Sequence, residues 1–223
     1  MLRFGAGLLT VLMLAGGATR SEATVFTGSG SGLSASASFT ITGPTGSRQL
    51  TILLTNTDDA TGANAPTDAP NVLTGLFFNL GTSTFTPKSA TESPASIIQT
   101  GNCIVANGKK GAQNSSCASQ TNVGGEFSSA SGGAGWLAGT PQGTASSGYL
   151  NERTGVANFN GPDWEGPAAL DGMDFGMVPD GWVAANQGLG NAALIEGIVK
   201  FVLDIPKGLA ESPISNVNFA YGR

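Results

Sequence analysis

The feature that most constrains this chain is a strict alternation of apolar and hydroxyl side chains beginning at Leu33. Leu33, Ala35, Ala37, Phe39 and Ile41 take the odd positions, and Ser34, Ser36, Ser38, Thr40 and Thr42 the even ones. A period of two puts one set on each face of a β-strand, so one face is greasy and the other carries hydroxyls. Gly43-Pro44-Thr45-Gly46-Ser47 then supplies turn chemistry. Leu50, Ile52 and Leu54 resume the alternation against Thr51, Leu53 and Thr55, which predicts a hairpin. A polar loop from Asn56 to Pro70 leads into Val72-Leu73-Thr74-Gly75-Leu76-Phe77-Phe78-Asn79-Leu80, a run apolar on both faces and therefore expected as a fully buried strand.

The rest of the chain reads the same way. Val25 and Phe26 fit an edge strand in the short lead-in. Thr82 to Phe85 fits a short extension of the sheet that Pro87 is expected to stop, and Ala95 to Gln99 a strand. Phe127 and Trp136 are aromatic islands in Gly/Ser-rich sequence and are expected to plug into the core. Met173, Phe175 and Met177 alternate and suggest a short strand. Residues 191–205 fit helical spacing in part, but the β-branched run favours a strand from Gly197 to Ile205, stopped by Pro206. Val217, Phe219 and Tyr221 should face inward on the closing strand, with Asn216 and Asn218 outward. Faces such as Leu50/Ile52/Leu54 and Val217/Phe219/Tyr221 each need a covering layer. The expected fold is therefore all-β: one antiparallel β-sandwich or jelly-roll-like domain with long Gly/Ser-rich loops.

The N-terminus reads as an export signal. Met1-Leu2-Arg3 is a short basic start, Phe4 to Ala18 is apolar, and Ser21-Glu22-Ala23 is a small-x-small cleavage site. The apolar run is too short to span a membrane, and Gly16, Gly17 and Arg20 interrupt it, which argues against an uncleaved anchor. Cleavage after Ala23 would leave a β domain at 24–223. No further apolar run long enough to span a membrane follows.

Chemistry is sparse. The 223-residue chain contains no histidine, which removes Ser-His-Asp, Cys-His and histidine-ligated metal chemistry. Only 11% of residues are charged, the net charge is −5, and no basic cluster exceeds Lys109-Lys110, so no nucleic-acid partner is expected. The Gly-Ser run from Gly28 to Gly32 lacks the lysine and the strand–loop–helix setting of a phosphate cradle. Cys103 and Cys117 suggest a disulfide in an exported chain. Such a bridge closes a loop of about 15 residues and contributes about 3 kcal/mol. The polar residues between the cysteines read as a stapled surface excursion.

Asp163, Glu165, Asp171 and Asp174 form an acidic patch. Solvated loop carboxylates are the first reading, a calcium site the second and a glycosidase acid/base pair the third. Trp136, Trp164, Trp182 and Tyr149 pack in the core on one reading and form a sugar-stacking platform on another. No residue is assigned to catalysis, to a metal or to a cofactor.

Several pieces in order resemble the exosortase-dependent (PEP-CTERM type) bacterial surface proteins. They are Ala23-Thr24-Val25-Phe26-Thr27-Gly28-Ser29-Gly30, Leu33 to Phe39, Leu50 to Thr57, Val72 to Phe78, Val123 to Phe127, Asn158 to Pro162, Gly166 to Gly176 and Ile214 to Gly222. The resemblance implies secretion followed by sorting to the cell envelope or exopolysaccharide layer, without enzymatic activity. The family pattern continues into a Val-Pro-Glu-Pro-type motif, an apolar helix and a basic tail. Here the sequence stops at Arg223, so either truncation or release rather than anchoring is expected. The resulting expectation is a secreted or cell-surface structural or adhesive β-domain contacting extracellular polysaccharide or other surface proteins. The alternative is a carbohydrate-binding module using Trp136 or Trp164, with calcium on its acidic rim.

Overall fold

The computed structural model describes residues 23–44, 47–60, 71–81, 85–92, 96–99, 104–105, 109–110, 127–130, 142–146, 176–182, 193–206 and 214–222. Fourteen strands are formed among them: β1 Ala23–Gly30, β2 Leu33–Thr42, β3 Arg48–Asn56, β4 Leu73–Asn79, β5 Thr86–Glu92, β6 Ser96–Gln99, β7 Ile104–Val105, β8 Lys109–Lys110, β9 Phe127–Ala130, β10 Gln142–Ser146, β11 Gly176–Val178, β12 Ala193–Glu196, β13 Ile198–Ile205 and β14 Ser215–Tyr221. The described residues contain no α-helix.

The strands assemble into two main sheets. The first runs β1-β2-β3-β13-β5. The second runs β6-β12-β11-β4-β10-β9, with β14 also on β4. β7 and β8 pair as a separate small ribbon between the two cysteines, which themselves lie outside the described residues. The fold is thus all-β and sandwich-like.

The hairpin expected from the alternation is present. Ala35 to Thr42 on β2 pair antiparallel with Asn56 to Gln49 on β3. Ala35, Ala37, Phe39, Leu50, Ile52 and Leu54 are all buried, as a period of two requires. β1 is longer than an isolated Val25-Phe26 lead-in would be, with eight residues in unbroken register against β2. It joins β2 through Ser31-Gly32, at φ 55° and 81°. Both central residues at positive φ make this a type I′ turn, whose twist matches that of the strands it connects.

β4 is buried from Leu73 to Phe78. It lies inside the second sheet, with β14 along one edge and β10 and β11 along the other, and Leu73, Leu76 and Phe78 pack into the main core while the preceding Val72 joins the second apolar cluster. Between the sheets, Phe39 of β2 meets Phe78 of β4 edge-on at 5.3 Å between ring centroids. Phe127 of β9 meets Phe201 of β13 in the same way at 5.1 Å. These T-shaped contacts place positive ring edges on negative ring faces and tie the two layers together. Phe127 therefore plugs into the core as expected, whereas Trp136 lies outside the described residues.

Three expectations need correction. Pro87 does not end a strand; it lies inside β5. β5 is an edge strand, and its pairing with β13 slips where Val202 faces Ser89 and Leu203 faces Pro87. A missing N–H is tolerated at such a place. The strand expected from Gly197 to Ile205 is present as β13, and Gly197, at φ 95°, separates it from β12. The second sheet is not wholly antiparallel, since β11 and β12 run parallel. Finally, Val217, Phe219 and Tyr221 pack against the core but stay only half-buried, whereas Ala220 is buried. Two register shifts along β14 break the simple alternation. Of the Met173/Phe175/Met177 strand, only the part from Gly176 is described, as β11.

Candidate interaction surface

The hydroxyl face of the hairpin becomes the outer face of the whole first sheet. Registered pairing carries its rows across the neighbouring strands. One row reads Thr27, Ser36, Thr55, Ile198. The next reads Val25, Ser38, Leu53, Lys200, Thr91. A third reads Ala23, Thr40, Thr51, Val202, Ser89. A fourth brings Thr42, Gln49, Asp204 and Thr86 into line. Rows repeat about every 6.8 Å along a strand and columns about every 4.8 Å across the sheet. The product is a lattice of hydroxyl and methyl groups.

Apart from Lys200, the charge in these rows gathers at one corner of the face. Lys88 bridges Asp204 at 2.9 Å, and the Gln49 side-chain amide donates to Asp204 at 3.2 Å. The Lys88 hydrogen bond is the main cause holding the Asp204 carboxyl below its ordinary value. Both partners are well exposed, so the pair adds little stability. In the three central rows Lys200 is the one charged side chain. A face of this kind suits a neutral, hydroxyl-bearing polymer or another sheet, since neither demands compensating charge.

A second polar group closes one end of the sandwich. The Asn56 amide donates to the Met177 carbonyl at 3.0 Å, and the Asp58 N–H donates to Asn56 Oδ1 at 3.0 Å. The Ser34 N–H donates to Asp58 Oδ1. The Ser34 carbonyl accepts from Thr57 N–H at 2.9 Å and from the Tyr221 hydroxyl at 2.5 Å. Asp58 is only 8% exposed, and among the described residues its Oδ2 accepts no hydrogen bond. Burial pushes this carboxyl above its ordinary value, against the opposing hydrogen bonds from Ser34 and Asn56. Burial, and then the nearby Asp58 charge, push the Tyr221 hydroxyl up as well. The group knots β2, β3, β11 and β14 together. No cluster of three or more acidic or thiol ligands occurs among the described residues.

The sequence-derived candidates fare unevenly. Trp182 is 3% exposed and packs with Val72, Val178 and Leu194 behind the second sheet. It belongs to a core and cannot serve a sugar platform. Trp136, Tyr149, Trp164, Asp163, Glu165, Asp171, Asp174, Cys103 and Cys117 lie outside the described residues. Ala23 is the first residue of β1 and pairs with Thr40, so cleavage after it would leave Thr24 to begin the strand. Asn56 and Asp58 were legible only as the start of a polar loop. Their one signal is an Asn-Thr-Asp-Asp run immediately after an apolar strand.

No known protein family, curated protein or solved structure matches this chain.

Proposed function

We propose that this chain is a secreted or cell-surface β-domain that works by structural or adhesive contact in an extracellular polysaccharide matrix rather than by catalysis. The observation that carries this reading is the hydroxyl-rich outer face of the first sheet, from Thr27 and Val25 across to Thr91, where Lys200 is the one charge in the three rows from Thr27 to Ser89. Hydroxyls at fixed spacing on a rigid sheet lose little side-chain freedom on contact, and neighbouring methyl groups cover the apolar faces of sugar rings. The export signal ending at Ala23, the cysteine pair Cys103/Cys117 and the resemblance to exosortase-dependent surface proteins support an extracellular setting.

The test is co-sedimentation with insoluble neutral polysaccharides and with bacterial exopolysaccharide. Wild type is compared with a Ser38→Glu, Thr40→Glu, Thr51→Glu variant. Retention that falls about tenfold or more in the variant supports the reading. Retention lost instead in Trp136→Ala, Trp164→Ala, or only on calcium removal, would transfer it to the carbohydrate-binding alternative. No retention on any polymer would overturn both. N-terminal sequencing of the exported protein should find Thr24 first. Its intact mass should rise by two hydrogens on reduction if Cys103 and Cys117 are bridged.

A further inference from the structure

One cation stands alone on the outer face of the first sheet. Lys200 belongs to β13, which lies inside that sheet between β3 and β5. In a chain with 15 acidic and 10 basic residues a lysine is expected to find a carboxylate, as Lys88 finds Asp204. Among the described residues Lys200 makes no ion pair. Leu53 and Thr91 stand directly beside it in register, Ile198 and Val202 flank it along β13, and Thr51 and Thr55 take the diagonal positions on β3. None of these carries a charge. Asp204 lies four residues further along the strand, about 14 Å away, and is held by Lys88.

These positions make a small composite patch. Leu53, Ile198 and Val202 supply apolar surface, and Thr51, Thr55 and Thr91 surround it with hydroxyls. All six are half-buried, and so is Lys200. A half-buried lysine lays its alkyl stem along apolar neighbours and keeps its ammonium in water. A sugar ring has the matching anatomy, with an apolar C–H face and a rim of hydroxyls. In a uronic acid the rim also carries a carboxylate.

We infer that the patch around Lys200 takes a uronic acid unit of a sparsely charged polysaccharide, with the Lys200 ammonium paired to the sugar carboxylate. The inference rests on the polysaccharide contact proposed above and names its substrate class. Charge density selects the occupant. A nucleic acid presents a charge about every 1.7 Å and is met by many Lys and Arg side chains. An anionic membrane surface likewise takes clusters of basic residues. One unpaired lysine answers neither, and a chain carrying −5 overall is repelled by both. Protein interfaces are enriched in aromatic residues, Met and Arg, and the rows of this face contain none of them. A polymer that is mostly hydroxyl with an occasional carboxylate mirrors a face that is mostly hydroxyl with one free ammonium.

The experiment uses one polymer with and without charge: galacturonan partly methyl-esterified, and the same galacturonan fully methyl-esterified. Affinity electrophoresis of the full chain through gels holding each polymer gives the two dissociation constants. The wild type should bind the partly esterified polymer about threefold or more tightly than the neutral one, and added salt should shrink that advantage. Lys200→Gln should bring the ratio to about one while leaving retention on the neutral polymer unchanged. Lys200→Arg should keep the advantage. Lys110→Gln, which removes the same charge from β8, should keep it too. Thermal melts establish that the variants fold, and the wild-type ratio and its salt dependence test the inference without them. Equal wild-type binding to the two polymers, an advantage that survives Lys200→Gln, or one lost equally in Lys110→Gln would overturn this inference and leave the polysaccharide contact standing. Retention on neither polymer would overturn both, as would binding to vesicles of phosphatidylserine and phosphatidylcholine in place of the polymers.

Discussion

The side-chain amide of Asn56, at the end of β3 in the first sheet, donates a 3.0 Å hydrogen bond to the carbonyl of Met177 on β11 in the second. It is a polar bond inside an otherwise apolar interface, and both ends are buried. The same side chain accepts from the Asp58 N–H. Asn56→Ala would therefore orphan a buried carbonyl and a buried amide at once. Each group left without its partner costs about 1–3 kcal/mol. The expected outcome is a loss of about 2–4 kcal/mol in urea unfolding, without a change in the slope of the transition.

Tyr221→Phe should cost less. The Tyr221 hydroxyl donates to the Ser34 carbonyl, but that carbonyl also accepts from Thr57 N–H and keeps one partner. Only one bond is lost and no acceptor is stranded, so about 1 kcal/mol is expected. Equilibrium unfolding of the two proteins side by side measures it.

Gly176 makes a packing prediction. A Cβ built there would lie 2.1 Å from Val72 Cγ1, and Val72 is fully buried in the cluster behind the second sheet. The valine has no space to swing into, so Gly176→Ala should destabilise by about 1–3 kcal/mol through overpacking. Gly176→Ala combined with Val72→Ala should recover part of that loss, which separates a clash from an effect on the backbone.

How far the residues announce this fold depends on how local each cause is. The alternation from Leu33 to Leu54 and the apolar run from Val72 to Leu80 are local patterns, and each forms the strand its period dictates. The β1–β2 turn was harder to see. Gly28, Gly30 and Gly32 offer equivalent breaks in one Gly-Ser run, and only pairing with β2 selects Ser31-Gly32. Pro87 misled because its tolerance depends on β5 being an edge, which is a property of the assembled sheet. Asn56 and Asp58 looked like ordinary loop polarity, since what buries them arrives from β11 and β14, more than a hundred residues away in sequence. The outer hydroxyl face was visible strand by strand, but its rows required the register.

Asp58 gives the molecule a pH dependence of definite sign. Its carboxyl is buried, Oδ2 has no hydrogen-bond partner among the described residues, and burial raises its folded value above the ordinary 3.8. Between those two values the folded state holds a proton that the unfolded chain has released. Its contribution is therefore fully present below about pH 3.8 and is lost as pH rises through the folded value. Asp204 runs the other way. The Lys88 hydrogen bond lowers its value, so its contribution is lost as pH falls, and a bare stability profile mixes the two. Asp58→Asn separates them: it keeps an Oδ1 to accept from the Ser34 N–H but cannot ionise. Subtracting the variant's urea midpoints from those of wild type should leave a curve that declines from acid toward neutral pH. The Lys88→Met background, which removes the Asp204 partner, should leave that decline intact. A difference curve that is flat, or that climbs toward neutral pH, would mean that the Asp58 carboxylate is stabilised by its hydrogen bonds from Ser34 and Asn56 more than burial penalises it.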